Sequence, residues 1–124
     1  MKCVFLVEDN QDNADLIGDL LGARYHLVHF SSPDKLLQGI KGETLPMPDL
    51  LLIDISLPGM DGVALLQLLR RNSTFDPVPA VALTAHALRH DRERFLSAGF
   101  DSYVSKPIMD EDILMDTVAK HLTE

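Results

Sequence analysis

The sequence has a single cysteine, Cys3, and no apolar run near the roughly 18 residues that a membrane-spanning helix needs. One cysteine cannot form an internal disulfide, which fits a reducing compartment. The chain reaches Glu8 and Asp9 too early for the apolar region of a secretory signal. Repeats, low-complexity tracts and linkers are also missing. These absences predict a cytoplasmic protein without a membrane segment.

Basic residues are few: the chain has 11 lysines and arginines against 19 acidic residues, a net charge of −8. A negative field of this size repels phosphate backbones and anionic lipids, so we expect no direct binding to nucleic acid or membranes. The most basic stretch, 89–94, is interrupted by Asp91 and Glu93 and is typical of a solvated helix face.

What the sequence does contain is ordinary globular composition, with 124 residues of which 46% are hydrophobic and 24% charged. A chain of this length is one domain, predicted to span 1–124. It buries roughly two thirds of its unfolded surface on folding, which is enough for an independent core.

Short apolar runs alternate with helix-like stretches along the chain. The predicted strands are 3–7, 27–30, 50–53, 80–83 and 103–104, and the predicted helices are 13–22, 32–40, 62–71, 87–98 and 110–122. Runs that are apolar throughout indicate strands buried on both faces, as in a parallel sheet covered by helices. The pattern therefore predicts an α/β fold with a five-stranded parallel sheet and helices on both faces.

Polar residues follow the predicted strands at the edge where such sheets hold their binding sites. Glu8 and Asp9 follow the first strand, Asp54 the third, Thr84 the fourth and Lys106 the fifth. If the strand order is 2-1-3-4-5, these four strands are neighbours. Their ends then bring together three carboxylates, one hydroxyl and one ammonium.

Converging carboxylates repel each other by roughly 4 kcal/mol per pair at about 4 Å and an effective dielectric of 20. A divalent cation removes this repulsion, and Mg²⁺ suits a site with few carboxylates. With Lys106 it defines an anion pocket beside Asp54, in which the Thr84 hydroxyl also faces a phosphoryl group. Such transfers depend on positioning and charge neutralisation, and an aspartate can be the nucleophile.

Each residue also has a purely structural interpretation. Glu8 and Asp9 could cap the following helix, as could Thr84. Asp54 could be a buried structural acid, although an unpaired acid between Ile53 and Ile55 is costly. Lys106 could be a surface lysine before a turn proline. The coincidence of all five at one sheet edge favours a common site.

At this point the sequence resembles the receiver domain of two-component response regulators, chemotaxis regulators among them. The matching segments are VEDN (7–10), LLIDISLPGMDG (51–62), LTA (83–85), GFDSY (99–103) and SKP (105–107). They cover essentially the whole chain in order and spacing. The resemblance implies a flavodoxin-like, doubly wound sheet of order 2-1-3-4-5.

The resemblance also implies roles for individual residues. Asp54 is the implied phosphoacceptor, and Lys106, joined to Pro107 by a cis bond, is the phosphoryl-binding lysine. Thr84 is the implied switch hydroxyl, and Tyr103 is the aromatic residue that turns inward with it. The implied Mg²⁺ ligands are Glu8, Asp9, Asp54 and the backbone carbonyl of Ser56.

The predicted function is a Mg²⁺-dependent phosphoacceptor switch, a signalling protein that promotes only its own phosphorylation and dephosphorylation. Its implied partners are a histidine kinase or a histidine phosphotransfer protein. The chain is either a stand-alone regulator or a receiver excised from a larger protein such as a hybrid kinase. Two other classes stay open: an aspartate-nucleophile phosphohydrolase of the haloacid dehalogenase type, in which Ser56 replaces the required second aspartate, and an interaction module independent of phosphate.

Overall fold

The computed structural model describes residues 1–85 and 89–122. Strands and helices alternate through these residues: β1 (Cys3–Val7), α1 (Gln11–Leu21), β2 (His26–Phe30), α2 (Pro33–Lys41), β3 (Leu50–Asp54), α3 (Gly62–Arg70), β4 (Ala80–Thr84), α4 (Arg89–Ser97), β5 (Ser102–Ser105) and α5 (Glu111–His121). The predicted elements are confirmed to within two residues at their ends, and the first two residues of the predicted helix 87–98 lie outside the described residues.

The five strands form one parallel sheet in the order β2-β1-β3-β4-β5, as predicted. Every residue of the central strands β1, β3 and β4 is buried, whereas β2 and β5 are edge strands with exposed positions. The continuous apolar runs of the central strands therefore correspond to strands covered on both faces.

Two apolar layers enclose the sheet, because successive strand side chains point to opposite faces. One layer contains Phe5, Leu51 and Ala82 with residues from α2, α3 and α4. The other contains Leu6 and Leu52 with residues from α1 and α5. The helices consequently lie on both faces, as the doubly wound arrangement requires.

Side chains that accept a hydrogen bond from the first helical turn set the helix starts. Ser32 caps α2 by accepting from the backbone N–H of Lys35, and Asp61 caps α3 by accepting from that of Ala64. Asn10 caps α1 by accepting from the backbone N–H of Asn13, which starts that helix two residues earlier than predicted.

Leu96 and Ile113 lie in the predicted helices 87–98 and 110–122 at apolar helical spacing, yet they are solvent-exposed, by 49% and 54%. In α4, Phe95 is fully buried and takes the core position instead. Within the described ranges, no helix is both long enough and apolar enough to cross a bilayer.

Arg70, at the end of α3, fixes the loops at the amino ends of β4 and β5. Its guanidinium donates to the carbonyl oxygens of Phe75, Asp76 and Val78 in one loop and of Gly99 in the other. Because Val78 lies just before β4 and Gly99 just before β5, one side chain ties these strand ends together.

Candidate functional site

The residues predicted from the strand ends lie at the carboxyl edge of the sheet. Asp54 is the last residue of β3 and pairs in register with Leu83 of β4. Thr84 ends β4 and is paired with Ser105, which directly precedes Lys106. The parallel register is therefore what brings distant parts of the chain to one edge.

Lys106 joins two of the acids. Its Nζ donates to Asp54 Oδ2 at 2.9 Å and to Glu8 Oε1 at 3.3 Å. The side chain of Lys106 is 17% exposed, while those of Glu8 and Asp54 are 0% and 2% exposed. The lysine is thus a cation at the mouth of the site, with the two carboxylates behind it.

Three carboxylates converge here: ligand oxygens of Glu8, Asp9 and Asp54 lie within 4.8 Å of one another. Glu8 and Asp54 are buried and Asp9 is exposed, which leaves the cluster open to solvent on one side. Glu8 Oε2 is buried and accepts no hydrogen bond from the described residues. A buried carboxylate oxygen without a donor, in a set of hard oxygen ligands, fits Mg²⁺.

Burial raises the pKa of Glu8 to about 7, and the neighbouring Asp54 carboxylate contributes in the same direction. The charge of Lys106 opposes this shift without cancelling it. Burial by itself would lower the pKa of Lys106, but Asp54 and Glu8 outweigh it and the pKa of the lysine is raised. One ammonium therefore stays charged here but does not balance the acids around it.

The backbone holds Asp54 in place. The N–H of Ser56 donates to Asp54 Oδ1 at 3.0 Å, and the N–H of Ile55 donates to the Leu83 carbonyl at 2.9 Å. Gly62 packs so closely that a Cβ there would collide with the carbonyl oxygen of Asp54 and lie 2.9 Å from Ile55 Cα. Only glycine fits at the start of α3 against this strand end.

Thr84 is 1% exposed at the end of β4. Tyr103 is half-buried in β5, two residues before the strand ends, and so lies farther from the strand edge than Thr84. The bond between Lys106 and Pro107 is cis, as the resemblance implies. The carbonyl oxygen of Ser56 stays a predicted metal ligand.

Two contacts near the site were not predicted from the sequence. His29 of β2 donates its ring Nε2 proton to the Glu8 carbonyl at 2.8 Å and so fixes the backbone next to the acidic pair. The guanidinium carbon of Arg92 in α4 lies 5.2 Å from the centre of the Tyr103 ring. Neither residue belongs to a strand-end motif, so the sequence carries no signal for either contact.

Chemically, the site combines a buried carboxylate, a cluster of oxygens that could hold a cation, and an ammonium hydrogen-bonded to two of the acids. Such an arrangement neutralises an anion beside Asp54 and presents one Asp54 oxygen to it. Charge neutralisation and positioning of this kind are what phosphoryl transfer requires.

Comparisons with known proteins point to one family. The family model for the response regulator receiver domain matches residues 4–119. The polar-differentiation response regulator DivK of Brucella ovis is 35% identical over 108 residues, covering 86% of this chain and 85% of that protein. The signal transduction histidine-protein kinase BarA of Escherichia coli is 36% identical over 109 residues, which are 87% of this chain and only 12% of that kinase.

A solved structure gives the same result at the level of the fold. The receiver domain of a sensor histidine kinase from Pseudomonas aeruginosa, with a magnesium ion coordinated in its active site cleft, superposes with a TM-score of 0.83 at 29% identity. The match covers 99% of this chain and 98% of that domain. With the family model and the DivK relative, it shows that this chain belongs to the receiver domain family of two-component response regulators.

Proposed function

We propose that this receiver domain is a Mg²⁺-dependent switch in which Asp54 accepts a phosphoryl group from a phosphohistidine. The observation that carries the proposal is the convergence on Asp54: an ammonium 2.9 Å from one of its oxygens, and two further carboxylates gathered around it. Within this proposal the 124 residues act as one signalling domain that modifies only itself.

In the transfer step, an oxygen of the Asp54 carboxylate attacks the phosphorus and forms an O–P bond. The N–P bond of the phosphohistidine breaks, its electron pair stays on the imidazole nitrogen, and that nitrogen takes up a proton. Lys106 neutralises one oxygen of the arriving phosphoryl group. The Ser56 N–H holds the second Asp54 oxygen in position.

Glu8, Asp9 and Asp54 would hold Mg²⁺, together with the backbone carbonyl of Ser56. The bound ion would supply positive charge against the phosphoryl oxygens and against the acids that Lys106 leaves unbalanced. The burial of Glu8 and its oxygen without a hydrogen bond support this assignment, because burial has removed the water that would otherwise solvate that oxygen.

The response to phosphorylation then passes through Thr84 and Tyr103. The Thr84 hydroxyl moves towards the phosphoryl group, and Tyr103 turns inward as Thr84 moves. The surface formed by α4, β5 and α5 is thereby remodelled, and a partner protein recognises the new surface. The burial of Thr84 next to the site and the partial burial of Tyr103 support this order of events.

The proposed phosphodonor is a histidine kinase or a histidine phosphotransfer protein in the cytoplasm. The match covers 85% of the response regulator DivK but only 12% of the kinase BarA, and so supports both contexts, a separate regulator and a receiver within a hybrid kinase. The free, buried Cys3 is consistent with a reducing compartment.

The test is incubation of the protein with a small phosphodonor such as acetyl phosphate, with and without Mg²⁺. We expect a mass increase of one phosphoryl group that is labile in alkali, depends on Mg²⁺ and is lost in Asp54→Asn. The matched control is Asp61→Asn, an exposed position near the same strand end where asparagine still caps α3.

Modification of the Asp54→Asn variant, or of the wild type without any metal, would contradict the proposal. Repeated turnover of a phosphomonoester would instead indicate the phosphohydrolase alternative. Partner binding that is unchanged by Asp54→Ala and by removal of the metal would indicate the phosphate-independent module.

A further inference from the structure

The contact between Arg92 and Tyr103 connects a charged helix to the aromatic residue of the proposed switch. The Arg92 guanidinium carbon lies 5.2 Å from the centre of the Tyr103 ring, within the range at which a cation is attracted to a ring face. Tyr103 is half-buried and Arg92 is exposed, so the guanidinium covers the solvent side of the ring.

Among the side chains described for α4, at positions 91–97, only Phe95 is fully buried, and Leu96 is half-exposed. A groove of about 460 Å³ lies beside the contact, lined by both partners and by Ile108, Met109 and Ile113 of the α5 side. Tyr103 is therefore not confined by close packing on this side, and the guanidinium is one of the groups that hold its ring.

From this geometry we propose that Arg92 is a latch, a positioning residue that holds Tyr103 in the half-buried orientation it has here, with its ring beside the guanidinium. A change of rotamer moves the ring by several ångströms, so Tyr103 cannot turn inward and keep its face under Arg92. The latch rests on the function proposed above and adds its regulation: the contact biases the unphosphorylated protein against the inward state.

The size of the bias follows from the strength of such contacts. An exposed cation–π pair shifts an equilibrium by about two- to fivefold. Loss of the Arg92 side chain therefore raises the inward population of Tyr103 by that factor. It also raises the rate of phosphorylation by a small donor, if the inward state is the one that accepts the phosphoryl group.

The chain offers a matched control on the same helix. Arg94 lies with its guanidinium carbon 5.0 Å from the ring centre of Phe95, a ring that is fully buried and takes no part in the switch. Arg94→Ala removes the same charge and a similar stacking contact from α4. It is expected to leave both the Tyr103 rotamer and the phosphorylation rate unchanged.

The experiment measures the χ1 rotamer populations of Tyr103 by NMR three-bond couplings in the unphosphorylated full chain, for wild type, Arg92→Ala, Arg92→Lys and Arg94→Ala. Tyr25→Phe removes the only other tyrosine and simplifies the spectra. We expect a two- to fivefold larger inward population in Arg92→Ala, a smaller change in Arg92→Lys, and none in Arg94→Ala.

Phosphorylation rates with acetyl phosphate and Mg²⁺ are then compared in the same variants and in Tyr103→Leu with and without Arg92→Ala. If Arg92→Ala accelerates phosphorylation in the wild-type background but not in Tyr103→Leu, the result supports the latch. The four proteins form a double-mutant cycle, which separates the Arg92–Tyr103 contact from the other contacts of Arg92. Rotamer populations equal in Arg92→Ala and Arg94→Ala overturn it. If the wild type is not phosphorylated at all, the proposed function is overturned instead. The two failures are distinguishable, because the rotamer populations are measured on the unphosphorylated protein.

Discussion

The ammonium of Lys106 lies 2.9 Å from a carboxylate oxygen of Asp54, although the two residues are 52 positions apart along the chain. The pair depends on the register of three parallel strands, because Asp54 ends β3 and Lys106 follows β5 with β4 between them. The strand register therefore creates the site. Its charge balance can be tested by stability measurements that do not depend on phosphorylation.

Lys106→Met is expected to destabilise the metal-free protein at pH 8 by about 1–3 kcal/mol, because Glu8 and Asp54 are left buried without a cation. At pH 5 the loss is smaller, since Glu8 is then protonated and neutral. Urea unfolding at both pH values measures the difference. Lys35→Met, on an exposed position of α2, is the control. Equal stability of the Lys106 variant and wild type at pH 8 would refute this account.

The raised pKa of Glu8 makes stability depend on pH in a defined direction. Since its pKa is about 7 in the folded protein and 4.5 ordinarily, the folded state binds more protons between these values. Protonated Glu8 contributes on the order of 3 kcal/mol to the free energy of unfolding. This contribution is complete below pH 4.5 and is lost as the pH rises to about 7. Urea unfolding of the metal-free protein across this range is expected to show the decline, and Glu8→Gln to flatten it.

Magnesium is expected to reverse that decline. Above pH 7 Glu8 is ionised and available to the cation, so added Mg²⁺ raises the unfolding midpoint more at pH 8 than at pH 5. Asp12→Asn, an exposed acid of α1 outside the cluster, should respond to Mg²⁺ like wild type. A Mg²⁺ effect that is the same at both pH values, or that persists in Glu8→Gln, would argue against this site.

Two glycines allow a matched comparison of sterics. Gly62→Ala is expected to cost about 1–3 kcal/mol, because its methyl group collides with the carbonyl of Asp54 and distorts the strand end that carries the site. Gly18→Ala, inside α1 with its nearest neighbour atom at 3.8 Å, is expected to stabilise by about 0.5–1 kcal/mol. Chemical denaturation gives both values, and a stabilising Gly62→Ala would show that the strand end can move away at little cost.

Arg70→Met should cost about 3 kcal/mol, since four backbone carbonyls lose a charged donor. Arg71→Met, its exposed neighbour, should change the free energy of unfolding by less than about 0.5 kcal/mol. Because Arg70 is at the opposite edge of the sheet from Asp54, the rate of phosphorylation should be unchanged at a temperature where both variants are folded. A lower phosphorylation rate in folded Arg70→Met would show that the loops held by Arg70 are coupled to the site at Asp54.

Much of the site could be predicted from the sequence because parallel strands impose a shared edge. Once the apolar runs are assigned to strands, Glu8, Asp54 and Lys106 must lie at their carboxyl ends, and the hydrogen bonds among them confirm that they meet. This prediction needs only the positions of the strand ends and no knowledge of side-chain packing, which explains its success.

The contacts that escaped prediction lack this geometric constraint. Arg70 reaches loops that carry no periodic pattern, and His29 bonds a backbone carbonyl that the sequence cannot mark. Leu96 and Ile113 fit helical apolar spacing but are exposed, because Phe95 and Leu114 already occupy the core positions of α4 and α5. Gly62 is the one residue whose type does indicate its contact. Glycine is a poor helix former, so its place at the start of α3 indicates that another part of the backbone approaches closely there.

The guanidinium that ties the loops before β4 and β5 has a mechanical consequence for the opposite edge. Strands held together at their amino ends separate more easily at their carboxyl ends, where Thr84 and Lys106 lie. A displacement of these two residues can therefore take place while the loops that Arg70 holds keep their positions.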